Sequence, residues 1–278
     1  MFIEILKFLM YSILIVIISK YVLVKLLRSF ALNLNLSSKA VGNIAGIATS
    51  IPELLTVSFS AFAGLISTSV FNIISSNTIN LLQYILAVFL NKNQKQLKKK
   101  GLKIELLLVL FTILIPIFML VLNIDFEIQI VPIFIILFIF FYYINSNLHK
   151  LYFRKEKEEI YSEQNSNRKN SKKTKAFIII KYTIYLLITS IVLYWIGDKL
   201  SIVLEELAGI FNISEIILGI ALGFITSLPE LITFFESQKH HKDEKTEGLV
   251  EATNNLLASN TLNLFVIQSI GIIITKLA

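Results

Sequence analysis

Long apolar runs, separated by short polar or charged connections, occupy most of the chain at about 4–28, 39–66, 70–90, 102–122, 129–148, 176–198, 212–238 and 248–277. Each run has roughly 20 residues or more and few charges, enough to cross a hydrocarbon core about 30 Å thick as an α-helix. Strands of a membrane barrel would alternate apolar and polar over about ten residues, and these runs do not. The pattern therefore predicts an all-α, polytopic transmembrane helical bundle of about eight spans. The first run is too long for a secretory signal and lacks a small-residue cleavage site, so it is expected to be a retained helix.

Composition agrees. Of 278 residues, 55% are hydrophobic and 16% charged, too apolar a balance for an ordinary soluble domain. Cysteine is absent, which removes disulfides, thiolate metal sites and cysteine nucleophiles. Of the three histidines, His240 and His241 fall in what reads as a polar loop, so no histidine metal site is expected, and no nucleophile–base set or cofactor loop suggests an enzyme. The formal charge of +7 lies in the connections between spans and argues for membrane topology rather than nucleic acid.

Charge also predicts orientation. Lys20, Lys25, Arg28 and Lys39 lie near the first connection, six lysines from Lys92 to Lys103 near the third, nine Lys or Arg in 149–175, and Lys239, Lys242 and Lys245 in 238–247. The 123–128 connection instead holds Asp125 and Glu127, and 198–211 holds Asp198, Glu205 and Glu206 against Lys199. By the positive-inside bias, the N-terminus is expected outside and the 149–175 loop in the cytoplasm of a plasma (inner) membrane. Residues 1–150 then form a first transmembrane half, 151–175 a basic linker, and 176–278 a second half.

An internal repeat links the halves. Residues 46–56 (GIATSIPELLT) and 223–233 (GFITSLPELIT) share G-x-x-T-S-x-P-E-L-x-T, 177 positions apart, and the same offset pairs Ser37 with Ser214 and Gly42 with Gly219. Residues 72–81 (NIISSNTINL) and 255–264 (NLLASNTLNL) share N-x-x-x-S-N-T-x-N-L at an offset of 183, so about six residues are inserted in the second copy, most simply in 238–247. The copies, about 37–82 and 214–265, begin in the second and seventh spans. An odd displacement of five spans makes them an inverted-topology repeat, an architecture of many secondary transporters with a site near the midplane.

The repeat places costly groups inside apolar spans. Glu53 and Glu230 need a proton, a partner or a cation there. Pro52 and Pro229 precede them and deprive the Ala48 and Ile225 carbonyls of their helical partners, so an oxygen-rich cage of carbonyls and side chains is expected. Spacings of three and four put Thr49 and Ser50 on one face with Glu53, and Thr226 and Ser227 with Glu230. Ser76 and Asn80, like Ser259 and Asn263, are i, i+4 pairs able to face the same cavity. All these ligand atoms are oxygen, suited to hard cations such as Na⁺ and Ca²⁺, and the two carboxylates match the charge of one Ca²⁺. Gly42, Gly46, Gly219 and Gly223 are expected to let helices approach closely.

At these residues the chain resembles the sodium/calcium exchanger family of the calcium/cation antiporter superfamily. TSIPE at 49–53 and TSLPE at 226–230 are similar to that family's first motif; SNTIN at 76–80 and SNTLN at 259–263 are similar to its second. The resemblance implies cation ligands at Thr49, Ser50, Glu53, Ser76, Asn80, Thr226, Ser227, Glu230, Ser259 and Asn263. It implies Na⁺/Ca²⁺ antiport, with Na⁺ and Ca²⁺ as transported ligands, no resident cofactor and no nucleic-acid partner. H⁺- or K⁺-coupled exchange and a non-transporting relative that keeps the fold are the alternatives. Departures from the motifs fall at Ala48, Ile225, Phe71, Ser75, Asn254 and Ala258, where glycine is usual, and at Asn80 and Asn263, where aspartate can stand. The family usually has ten helices as 5+5; here eight are read, as 5+3, so a partner chain or a second copy could supply a further pair.

Overall fold

The protein is described from a computed structural model, over residues 2–33, 37–152, 172–211, 214–240 and 245–277. Those residues are helical apart from turns, and eight helical stretches are long and apolar enough to span a membrane: Ile3–Leu23, Ser38–Phe62, Ile66–Leu90, Lys100–Val121, Ile128–Asn147, Ile180–Leu200, Glu215–Lys239 and Thr246–Leu277. The expected bundle is present.

Helix α1 (Phe2–Ile18) runs through a π-helical turn at Ser19–Val24 into α2 (Lys25–Asn33). The second span is broken into α3 (Ser38–Thr49) and α4 (Ile51–Phe62), and the third is α5 (Ile66–Leu90). α6 (Lys100–Val121) and α7 (Val131–Tyr152) complete the first half. In the second half come α8 (Lys172–Phe211), the broken pair α9 (Glu215–Thr226) and α10 (Leu228–His240), and α11 (Lys245–Thr261). A second π-helical turn at Leu262–Ile267 leads from α11 into α12 (Gln268–Leu277). Both copies open with the same cap: the Ser37 hydroxyl accepts from Ala40 N–H and that of Ser214 from Ile216 N–H, meeting one orphan donor of each helix.

The two copies interleave. α3 lies along α11 and α9 lies along α5, and glycine makes both crossings close. A Cβ at Gly46 would stand 2.6 Å from the Asn255 carbonyl oxygen, and one at Gly219 would stand 2.6 Å from that of Thr68. The expected packing role of the four glycines is met. Around this core, α1 and α8 pack on each other through Ile15, Leu193, Leu200 and Leu207, while α6 and α7 cover α11 and α12, with Phe134 and Phe141 against Phe265. The residues of α5 that repeat symmetry matches to Phe265 and Ile272 are Leu82 and Phe89, and these are 60% and 59% exposed.

Two boundary expectations change. Asp198, Glu205 and Glu206 lie within α8 rather than in a loop: Ile196, Leu200, Val203 and Leu207 continue a buried stripe at helical spacing past the first acidic residue. His240, read in a polar loop, instead ends α10. Of the expected linker, residues 151–152 and 172–175 are helical, while 153–171, and residues 241–244 with His241, lie outside the described residues.

Candidate functional site

The second and seventh spans break where proline removes a donor. Ser50 sits between α3 and α4 at φ −81°, ψ −1°, and Ser227 between α9 and α10 at φ −79°, ψ −4°. Each break puts a glutamate, Glu53 or Glu230, in the first turn of the next helix, where amide N–H groups and the helix dipole favour negative charge. The carbonyls expected to be bare are partly taken: the Ser50 N–H leans on those of Gly46 and Ala48, and the Ser227 N–H on those of Gly223 and Ile225. Side-chain oxygens, more than freed carbonyls, furnish the centre.

All ten residues singled out from the sequence are buried and meet where the copies cross. Ser76 Oγ donates to Glu53 Oε1 at 2.7 Å, and Ser259 Oγ donates to Glu230 Oε1 at 3.2 Å. Other contacts join one copy to the other. Ser50 and Ser259 hydroxyls are 2.9 Å apart, and Ser227 Oγ donates to Ser76 Oγ at 3.0 Å. Thr226 lies beside Glu53 and Thr49 beside Glu230. Spacing alone put each threonine with the glutamate of its own copy; the helix break turns it toward the other copy.

The arrangement leaves acceptors over. Glu53 Oε2, Glu230 Oε2, Asn80 Oδ1 and Asn263 Oδ1 are buried and receive no hydrogen bond. Both glutamates are fully enclosed. An unpartnered buried acceptor costs about 1–3 kcal/mol, more if charged. Four such oxygens in one enclosed place are what a hard cation would satisfy. Among the described residues no group of three or more His, Cys, Asp or Glu could hold a metal, so neutral oxygens would have to complete any coordination around the two carboxylates.

Sequence reasoning missed the amide frame around these oxygens. Asn77 Nδ2 donates to the Asn260 carbonyl and Asn260 Nδ2 to the Asn77 carbonyl, each at 3.1 Å. Asn80 Nδ2 donates to Asn260 Oδ1 at 3.2 Å and Asn263 Nδ2 to Asn77 Oδ1 at 3.1 Å. These bonds turn both terminal amides so that their oxygens stay free. The signal is present in the S-N-T-x-N repeat, whose first asparagine, Asn77 or Asn260, is duplicated like its second. A further buried group also went unseen: Asn254, at a place where the family motif carries glycine, approaches Glu105 Oε1 at 3.5 Å and accepts from Asn145 Nδ2 at 3.3 Å. Lys39 Nζ donates to the Asn145 carbonyl at 2.7 Å and attracts Glu105.

Comparison with known proteins follows the same line. The model of the sodium/calcium exchanger protein family matches residues 5–147 and 181–278. The crystal structure of the H⁺/Ca²⁺ exchanger CAX superposes with a TM-score of 0.62, at 16% identity, over 99% of this chain and 68% of that one. The sodium-calcium exchanger NCX_Mj, soaked with 10 mM Na⁺ and 10 mM Sr²⁺, superposes with a TM-score of 0.53, at 21% identity, over 99% of this chain and 83% of that one. No curated protein matches by sequence.

Proposed function

Because the chain belongs to the sodium/calcium exchanger protein family, we propose that it is a secondary active cation antiporter, exchanging Na⁺ for Ca²⁺ by alternating access. The observation that carries this reading is the crossed centre, where Glu53, Glu230, Asn80 and Asn263 each keep a buried oxygen that accepts no hydrogen bond. These oxygens, with the hydroxyls of Thr49, Ser50, Ser76, Thr226, Ser227 and Ser259, serve as cation ligands. The carboxylates supply charge against Ca²⁺, and the neutral amides and hydroxyls fill its wide coordination shell of six to eight oxygens. Occupancy is exclusive, since Ca²⁺ and Na⁺ compete for the same atoms.

Exchange then follows from cost. With no cation, two carboxylates buried together resist crossing the apolar barrier; one Ca²⁺, or several Na⁺, relieves that cost and permits the change of access. The α1–α2 and α8 layer slides against the interleaved repeats, exposing the site to one side and then the other. Na⁺ is preferred over H⁺ as the coupling ion because Asn80 and Asn263 add neutral oxygens suited to a hard cation and no further titratable group, which leaves Glu53 and Glu230 as the only carboxylates among the ten ligands.

The test is ⁴⁵Ca²⁺ uptake into Na⁺-loaded proteoliposomes, with and without an outward Na⁺ gradient, beside a Glu53→Gln control. Gradient-dependent uptake that the control loses is the expected result. Full uptake by Glu53→Gln would refute the site, and uptake driven by a pH gradient but not by Na⁺ would transfer the coupling to protons.

A further inference from the structure

A pocket of about 240 Å³ opens at the end of the bundle where α4 gives way to α5. Its walls include Ile66 and Ser69 of α5, Gln268, Gly271 and Lys276 of α12, and Glu127 of the α6–α7 connection. It has room for a cation that keeps several waters. Glu127 and Lys276 are exposed, opposite charges at the rim. Glu215, another acid at this end, is engaged with α5, where its Oε2 accepts from the Ser67 N–H at 2.8 Å. The buried wall is neutral: Ser69 and Gln268 are each 3% exposed, and Gln268 Oε1 accepts no hydrogen bond.

The same helix faces lead to the centre. Ser69, Asn72 and Ser76 follow at steps of three and four along α5 and share one face, so about 10 Å of helix separates the pocket wall from the serine on Glu53. Between them Asn72 Nδ2 donates to Thr56 Oγ1 at 2.7 Å, and Asn72 Oδ1 accepts nothing. Ser60 Oγ, one turn beyond Thr56 on α4, is also buried without a partner. α12 closes against this seam: a Cβ at Gly271 would stand 2.8 Å from Val57 Cγ1, and the Val57 carbonyl accepts from Ser69 Oγ at 3.2 Å. Five residues before Gln268 stands Asn263, whose free Oδ1 belongs to the centre. Oxygens with unused acceptor capacity therefore line the interval from the pocket to Glu53.

The inverted copy is built differently at its matching end. Asn255 Nδ2 donates to Thr233 Oγ1 at 2.6 Å, repeating the Asn72–Thr56 rung. Beyond it, the places of Val57, Ser69, Gln268 and Gly271 are held by Phe234, Ala252, Ile85 and Val88. Phe234 meets Tyr84 edge-on with ring centroids 5.7 Å apart, and the Tyr84 hydroxyl lies 2.7 Å from that of Thr253. Phe234, Tyr84, Ala252 and Val88 are fully buried. Packed aromatic and aliphatic groups thus occupy one seam where the other offers hydroxyl, amide and glycine.

We propose that the pocket is a second cation site, in which Ca²⁺ or Na⁺ exchanges part of its water for Gln268 Oε1 and Ser69 Oγ before passing Asn72 and Thr56 to reach Glu53. Gln268 is the ligand that sets affinity at that membrane face. The rim charges offset each other, so selection there falls to neutral oxygens, which suit a hard cation. This inference rests on the transport site proposed above and adds a ligand outside it.

The chain has no cysteine, so Ser69→Cys introduces a single thiol into the pocket. A small cationic methanethiosulfonate, read by mass spectrometry on the solubilised protein, is expected to label it, and Ca²⁺ is expected to slow the labelling. That protection should persist when Glu53→Gln disables the centre and disappear when Gln268→Leu is added. In ⁴⁵Ca²⁺ exchange with inside-out and right-side-out vesicles, Gln268→Leu alone should raise half-saturating Ca²⁺ about ten-fold at one face, leaving the other face and the maximal rate unchanged. Gln268→Glu, which keeps an oxygen ligand, should restore the affinity. An unlabelled thiol, protection lost with Glu53→Gln, or a Gln268→Leu effect that is absent or equal at both faces would overturn the proposal. Those results with Glu53→Gln silent in exchange remove the pocket and leave the central site. Full exchange by Glu53→Gln instead removes the central site, and with it the proposal.

Discussion

Replacing Glu53 by glutamine is expected to stabilise the cation-free protein while abolishing its response to cations. Glu53 is fully enclosed, Ser76 satisfies Oε1, and Oε2 accepts nothing. Glu230 lies close enough to add repulsion. Burying an uncompensated charge costs several kcal/mol even after relaxation, whereas an imperfectly satisfied neutral amide costs about 1–3 kcal/mol. The amide oxygen can keep the Ser76 hydrogen bond, so the exchange gains on the order of 2 kcal/mol. At about 2–4 °C per kcal/mol, the melting temperature of the detergent-solubilised, chelator-treated protein should rise by roughly 5 °C. Wild-type protein with Ca²⁺ at a hundred times its Kd gains about 2.7 kcal/mol by mass action, so it should overtake the variant once Ca²⁺ is added. Differential scanning fluorimetry with and without Ca²⁺ or Na⁺ reads both effects. A variant that melts lower than wild type without cation and still shifts with Ca²⁺ would refute the assignment of strain and binding to this carboxylate.

Other perturbations separate packing from chemistry. Gly46→Ala places a Cβ 2.8 Å from that of Ala258 and 2.9 Å from Ser259 N; thermal unfolding should show a loss of about 1–3 kcal/mol, and Ca²⁺ binding should weaken as Ser259 is displaced. Thr233→Val leaves Asn255 Nδ2 without its acceptor, so thermal unfolding should show a loss of about 1–3 kcal/mol. Lys39→Met removes the hydrogen bonds to Asn145 and the charge that attracts Glu105 and should cost about 1–3 kcal/mol; adding Glu105→Gln should recover part of that, which a double-mutant cycle on unfolding free energies would measure.

The spans, the duplication and the breaks were legible because each rests on a local rule. Apolar run length predicts a span, proline predicts the break before Glu53, and a duplicated glutamate in an apolar span marks a group with a purpose. Boundaries were less legible where charge and periodicity conflict. Asp198, Glu205 and Glu206 suggested a loop, yet Leu200, Val203 and Leu207 pack against α1 and hold α8 helical. The pairing of Thr49 with Glu230 was hidden because spacing describes one helix, and this contact depends on how two distant segments cross. Asn77 and Asn260 were hidden differently, since an asparagine in a helix has no visible role until its partner carbonyl is placed.

The crossing also binds stability to chemistry. Gly46 lies against the carbonyl of Asn255 and the amide of Ser259, and the same approach brings Ser50 to 2.9 Å from Ser259. In the other copy Gly223 lies against Asn72 and Ser76, and Ser227 reaches Ser76 at 3.0 Å. The residues that admit the neighbouring backbone therefore set the distance between the hydroxyls around each glutamate. A methyl group at either crossing opens the site and loosens the core together. Because each glutamate's serine comes from its own copy and its threonine from the other, neither copy holds a complete set alone. Two inverted halves must stay interleaved for one site to exist, and a movement that parts α3 from α11 alters both carboxylates at once.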